Sequence, residues 1–160
     1  MIHGTFGRLS VLLFVLLAAG AAVAAIGKVE GTFLVGGSDA KLRYVRARRA
    51  KLDEKGRTGF AVLLSAREAT GDIASWQTAE PSERGSFIFL QLEQNGAVWS
   101  AELGHAAAKS GRFGVVTEVK TSGFRVQGDR LVVTLRTDGE QEFTQDRYAV
   151  DLKVDATIEH

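Results

Sequence analysis

Residues 148–158 read Tyr148-Ala149-Val150-Asp151-Leu152-Lys153-Val154-Asp155-Ala156-Thr157-Ile158. Tyr148, Val150, Leu152, Val154, Ala156 and Ile158 fall on one phase of a two-residue repeat. Ala149, Asp151, Lys153, Asp155 and Thr157 fall on the other. In an extended chain, successive side chains point to opposite faces, so this spacing predicts a strand with one dry face and one wet face.

The same period recurs upstream. Leu131, Val133 and Leu135 alternate with Val132, Thr134 and Arg136, and Phe113, Val115, Thr117 and Val119 share a phase. Phe87–Leu92 and Ala97–Leu103 flank Gln94-Asn95-Gly96. Asn-Gly between apolar runs predicts a hairpin, because both residues tolerate the positive φ of a tight turn. Phe60–Leu64 is apolar throughout and predicts a strand buried on both faces. Gly36-Gly37-Ser38-Asp39, Gly128-Asp129 and Asp138-Gly139 supply turns between further runs at 29–35, 41–47, 124–127 and 130–137. Eight or nine short strands at hairpin spacing predict an all-β antiparallel sandwich, with a lipocalin-like closed barrel as the alternative. A transmembrane barrel is disfavoured. Its lipid-facing band would be apolar and its lumen polar, whereas the apolar phase here carries large side chains suited to a packed core.

Two stretches break the pattern. Residues 66–85 are long and polar, with Pro81 near the end. Within them Asp72 is placed to cap a short helix at 73–77. Residues 104–111, Gly-His-Ala-Ala-Ala-Lys-Ser-Gly, predict a loop with a helical turn. Long loops on a rigid scaffold often carry function.

The first segment differs from the rest. Val11–Ala19 is an unbroken apolar run, and small residues follow at Ala21–Ala25. Residues 1–25 have the layout of a secretory signal peptide, cleaved beside Ala25. A single domain at 26–160 then remains, periplasmic or secreted and not membrane-spanning. The chain of 160 residues has no cysteine and a formal net charge of +1. Arg8 is the only charged residue of the first 25, so the remainder is neutral, with 19 basic and 19 acidic side chains. Without disulfides, such an exported domain must rely on an ordinary packed core. The missing thiols exclude a cysteine nucleophile and a thiolate metal site.

The neutral total hides a polarity. Residues 26–60 hold nine basic and four acidic side chains, whereas residues 138–160 hold two and seven. Arg46, Arg48 and Arg49 are the centre of the basic run. They suggest a patch for an anionic surface component or an acidic protein. The alternative, favoured because the sums cancel, is internal pairing with the acidic terminal strand. Nucleic acid is not expected, since the run is short and the chain as a whole is neutral.

Catalytic and metal candidates are sparse. His105 is the one interior histidine after residue 25, which is too few for a zinc site, and no metal or cofactor is expected. A Ser-His-Asp arrangement would have to use His105 with Ser100 or Ser110, and neither serine sits in a G-x-S-x-G elbow. Glu102 and Glu118 interrupt apolar strands and are the candidates for paired carboxylates. The simpler expectation turns both outward. Trp76, within the polar interruption, is either a partner anchor or the packing residue of a lid.

Phe60–Ser65, the Asn95-Gly96 hairpin and the closing run 148–158 resemble small exported β-rich proteins of bacteria whose function is not known. The resemblance spans about residues 27–158. Its motifs are structural, so it implies a β-fold and export, and no activity or site. The expected function is a non-enzymatic binding or protein-interaction module, with Trp76, His105, Arg46, Arg48 and Arg49 as candidate contacts. The alternatives are a lipocalin-like carrier of a small apolar ligand, and a hydrolase built on Glu102, Glu118 and His105.

Overall fold

The computed structural model describes residues 27–160. The segment read as a signal peptide lies outside the described residues. The elements in order are β1 (Lys28–Val35), β2 (Ser38–Asp39), β3 (Tyr44–Lys51), β4 (Thr58–Ser65), a 3₁₀-helix (Ile73–Thr78), α1 (Pro81–Arg84), β5 (Phe87–Glu93) and β6 (Val98–Gly104). There follow β7 (Arg112–Val115), β8 (Lys120–Gln127), β9 (Arg130–Arg136), β10 (Gln141–Phe143) and β11 (Asp146–Glu159). The fold is all-β. One mixed sheet curls into a half-barrel, in the order β2-β1-β11-β3-β4-β5-β6-β7, with β10 and the β8–β9 hairpin also on β11.

The alternating run at 148–158 is the organising strand. β11 is 14 residues long, and every second side chain from Asp146 to Ile158 is buried. It is antiparallel to β1 along one edge, from Lys28↔Asp155 to Val35↔Tyr148. Along the other edge it takes β10 and then β9, with Leu152↔Leu135 and Val154↔Val133 as paired positions. Beyond the end of β1 it meets β3 through Ile158↔Ala47 and Glu159↔Arg48.

That last junction is parallel, which corrects the expectation of a wholly antiparallel sheet. β1 and β3, with the two-residue β2 between them in the chain, run in opposite directions. β1 is already antiparallel to β11, so β3 can approach the same edge only in the parallel sense. The strand count also rises to eleven, because the turns at 36–39 and 138–146 each contain a short strand too brief to show a period. The expected strand at 41–47 shifts to 44–51. Lys41 has φ +54°, a left-handed conformation that cannot continue a strand.

A single inner core gathers one phase of nearly every strand. It includes Phe33, Phe60, Val62, Leu64, Ile88, Leu90, Leu92, Leu103, Phe113, Leu131, Val133, Leu135, Tyr148 and Val154. Aromatic contacts bind its two halves: Phe60 to Phe124 at 5.9 Å, and Phe113 to Phe143 and Tyr148 at 4.9 and 5.0 Å. Gly96 permits this closure at the β5–β6 turn. Its φ is +85°, and a Cβ there would overlap the Phe124 ring. Thr121 Oγ1 donates to the Gly96 carbonyl at 2.7 Å and fixes the same approach.

The expectation that Phe60–Leu64 is buried on both faces holds. Ala61 and Leu63 turn away from the inner core and, with Phe87 and Phe89, form a second cluster beneath the 66–86 segment. No helix among the described residues is long and apolar enough to cross a membrane.

Candidate functional site

The insertion between β4 and β5 is a lid on the outside of the sheet. Ile73 and Trp76, 1% and 4% exposed, fill the second cluster against Leu63, Phe87 and Phe89. The Trp76 and Phe87 rings meet edge-to-face at 5.5 Å. Asp72 caps the 3₁₀-helix as expected, accepting from the Ala74 N–H at 2.9 Å. Pro81 at the first position of α1 and Gly85 at its end, with φ +83°, bound the second short turn.

Three arginines staple this lid to the sheet. Arg46 pairs through Nε and Nη2 with both oxygens of Glu159, at 2.6 and 2.7 Å, and its Nη1 donates to the Gly71 carbonyl at 2.7 Å. Arg48 reaches Asp72 at 2.9 Å. Arg112, at the start of β7, donates to the Gln77 carbonyl at 2.8 Å and to Glu102 at 3.3 Å. The bidentate bond to Glu159 fixes the Arg46 guanidinium, and with Arg48 and Arg112 it then holds the lid at three points, Gly71, Asp72 and Gln77.

Between the lid and its return lies a cleft of about 310 Å³ lined by Arg67, Glu68, Thr70, Trp76, Glu83 and Arg84. Arg84 stacks over Trp76 at 5.1 Å and donates to Ser75 Oγ at 2.8 Å. Arg67, Glu68 and Glu83 have no side-chain partner among the described residues. Trp76 Nε1 is buried without a hydrogen-bond partner. A larger cleft, about 450 Å³, lies beside the β8–β9 turn between Lys28, Gln127, Asp129, Arg130 and Asp155. Its Lys28, Arg130 and Asp155 charges are matched by the Lys28–Glu30 and Arg130–Asp155 pairs, and Asp129 lies against His160. It is bounded by Gly27, where the described chain starts. The lid cleft, with unmatched charges around an aromatic floor, is the better candidate.

The residues singled out from sequence fall in three places. Arg46, Arg48 and Trp76 come together at the lid, as its staples and its anchor. Arg49 alternates to the inner side of β3 and lies over the Phe60 ring at 5.4 Å. His105 is also on the inner side, 2% exposed, with its ring edge-on to Phe33 at 5.0 Å. Its Nδ1 accepts the Ala107 N–H at 3.0 Å. Burial pushes the imidazole pKa below its ordinary value, against opposing contributions from the Ser38 carbonyl, Asp39, the Phe33 carbonyl and Asp146. The two loops do meet. Arg112 joins Gln77, and the Ala106 N–H donates to Ser86 Oγ at 3.0 Å. Trp76 and His105 nevertheless belong to opposite faces of the sheet.

The carboxylates are also separated. Glu102 faces outward beside Arg112, where burial raises its pKa more than Arg112 lowers it. Glu118 lies in the β7–β8 connection and accepts from the Thr117 N–H at 3.1 Å. It faces Tyr148, whose hydroxyl is pushed up to about 12 by burial and then by that carboxylate. Glu102, Glu118 and His105 do not converge. Among the described residues no three His, Cys, Asp or Glu side chains come together as metal ligands would.

The basic run pairs mostly outside the acidic terminal strand. Arg46–Glu159 joins it to β11, while Lys41 takes Asp39 and Arg57 takes Asp53 and Glu93. β11 instead pairs with β9, through Arg130–Asp155 and Arg136–Asp151. The reason is register: β9 runs beside β11 for seven residues, and β3 for two.

Asp146 was missed. It is 4% exposed, and its two oxygens accept the Lys109 and Ser110 N–H groups at 2.9 and 2.8 Å. A signal existed, because Asp146 occupies the apolar phase of β11. Comparison of the chain with protein-family models, curated proteins and solved structures finds no match in any of the three.

Proposed function

We propose that the chain is an exported, non-enzymatic binding module whose docking face is the lid at 66–86. The observation that carries the reading is the contrast within this segment. Three arginines and a buried tryptophan hold it in one orientation, yet its outer cleft keeps Arg67, Glu68 and Glu83 unpaired. A segment that served only to cover Leu63, Phe87 and Phe89 would have no need of unmatched charges around a rigid aromatic. Preorganised, charged loops on a sheet suit recognition of a protein surface of mixed charge.

The same packing favours a sandwich over a ligand-carrying barrel as the finer description of the half-barrel. Phe60 on Phe124 and Phe113 on Tyr148 occupy the space a carrier would leave for its ligand. Export, to the periplasm or beyond, rests on the layout of residues 1–25.

The second reading is an anionic surface component bound at β3. Arg43, Arg49, Lys51 and Lys55 support it, having no ion pair among the described residues. Photo-crosslinking in the producing cell separates the two. A photoreactive residue at Arg67 or Glu83 is expected to give discrete protein adducts, and one at Lys153, on the outer face of β11, none. Adducts at all three positions, or at Lys153 alone, would overturn the lid reading. Retention on a sulfated polysaccharide that is lost in Arg49→Glu/Lys51→Glu would favour the second.

A further inference from the structure

Residues 105–111 close one end of the sheet. Besides the turn's own backbone bonds, from His105 N–H to Gly111, Ala108 N–H to His105 and Gly111 N–H to Ala108, four contacts hold them. The His105 ring packs on Phe33 of β1, the Ala106 N–H binds Ser86 Oγ, and Asp146 of β11 takes the Lys109 and Ser110 N–H groups. The fourth contact is internal: His105 Nδ1 accepts the Ala107 N–H. An imidazole nitrogen that accepts a hydrogen bond carries a lone pair, so the ring is neutral with its proton on Nε2. That Nε2 is buried and has no partner.

We propose that this loop is a proton-released latch, in which uptake of a second proton by His105 frees residues 105–111 from β1 and β11. The added proton comes from water and must go to Nδ1, where it faces the Ala107 N–H. Two donors then oppose each other, and the turn loses this side-chain bond. The new charge is opposed by burial, which outweighs the help it would get from the Ser38 and Phe33 carbonyls, Asp39 and Asp146. The charged groups facing the ring are Asp39 of β2 and Asp146 of β11. Asp39 already serves the Phe33 and Lys41 N–H groups and the Lys41 ammonium, and both Asp146 oxygens are taken by the loop. The Phe33 and Ser38 carbonyls lie near the ring but leave Nε2 without a hydrogen bond. A charged imidazole in this position is relieved by swinging out to water, and the loop must move with it.

Burial and the geometry act in the same direction. The released state gains as pH falls through the ordinary histidine range and on towards the lower value of the buried ring. At pH 5 both carboxylates remain ionised, since Asp39 and Asp146 each titrate below the ordinary aspartate value. Glu102, raised by burial and bonded to Arg112 at the end of the loop, is the other group near it that can respond as pH falls, and the His105→Asn variant separates the two. His160, the other described histidine, is exposed against Asp129. This latch does not depend on what binds the lid.

The test is amide exchange of residues 106–111, corrected for the intrinsic effect of pH, at pH 7.5 and 5.0. In the native chain, exchange is expected to rise several-fold between the two pH values. His105→Asn keeps an oxygen able to accept the Ala107 N–H but does not titrate, and its exchange is expected to be equal at the two pH values. Equal exchange in the native chain, or the same rise in His105→Asn, overturns the proposal. An NMR titration of the native chain guards against a variant that folds poorly. The Lys109 and Ser110 amides are expected to shift with the midpoint of the His105 ring, and shifts with a different midpoint overturn it.

Discussion

Arg46 and Glu159, 113 residues apart, close the parallel junction between β3 and β11 with two parallel hydrogen bonds of 2.6 and 2.7 Å. The same guanidinium reaches over to the Ala69 and Gly71 carbonyls, so one side chain joins two strands and the lid. Glu159→Gln is expected to lower stability by about 1 kcal/mol, as for a well-formed but half-exposed pair. Arg46→Met also strips the two carbonyls of a donor and is expected to cost about 2 kcal/mol. Urea unfolding at low and high salt checks both, and the difference between native and Glu159→Gln is expected to shrink with salt.

Trp76 is the largest side chain under the lid. Trp76→Ala is expected to loosen the lid by about 3 kcal/mol, the cost of truncating a buried aromatic. The inner core shares no residue with this cluster. Opening is therefore expected to be local, with new protease cleavage between residues 66 and 86 and an unchanged far-ultraviolet signal from the sheet. A global loss of β-signal at the same temperature would show that the two cores unfold together.

Gly96 and Phe124 form a testable pair. Gly96→Ala places a methyl group against the Phe124 ring at a residue with φ +85°, and is expected to cost about 2 kcal/mol through overpacking and backbone strain. Phe124→Ala in the same chain removes the overlap but leaves the strain. The double variant is expected to be more stable than the sum of the singles by about 1 kcal/mol. Additive effects would mean that the β8 ring does not rest on the β5–β6 turn.

Acid dependence should separate two carboxylates of opposite sign. Burial raises Glu102 despite Arg112, so the native state binds its proton first. Glu102 thus adds stability as pH falls towards its ordinary value of 4.5 and subtracts it above. Burial also pushes Asp146 upward, but the Ser110 and Lys109 N–H groups outweigh it and its net value lies below 3.8. Its contribution is full above that value and is lost as pH falls through and below it. Urea midpoints against pH are expected to flatten above pH 4.5 in Glu102→Gln and below pH 4 in Asp146→Asn.

Much of this fold was written in periodicity. The alternation at 148–158, the Asn95-Gly96 turn and the doubly apolar run 60–64 each led to the right strand, because a residue's side of a sheet depends on position alone. Asp72 announced its helix for a similarly local reason. The parallel junction at Ile158–Ala47 was hidden, since strand direction depends on which edge remains free once β1 is in place. The placement of charges was hidden too. Net sums located the basic and acidic blocks, but register decided that Asp151 and Asp155 meet Arg136 and Arg130 rather than the arginines of β3. Of the candidate residues, Arg46, Arg48 and Trp76 gathered at the lid, while His105 went to the other face. Sequence spacing carries no information on which face a long loop will cover.

β11 has a consequence for the order of events. It is the last strand of the described residues, yet β1, β3, β9 and β10 all hydrogen-bond to it, and Lys28 of β1 pairs with Asp155, 127 residues further along the chain. Neither β1 nor the β8–β9 hairpin has its place until β11 emerges. Before β11 joins, the earlier strands can form the β1–β2 and β8–β9 hairpins and the meander from β3 to β7, but not the closed sheet. The sheet thus closes only when β11 meets strands made long before it, and joining the chain over such a span makes that step slow.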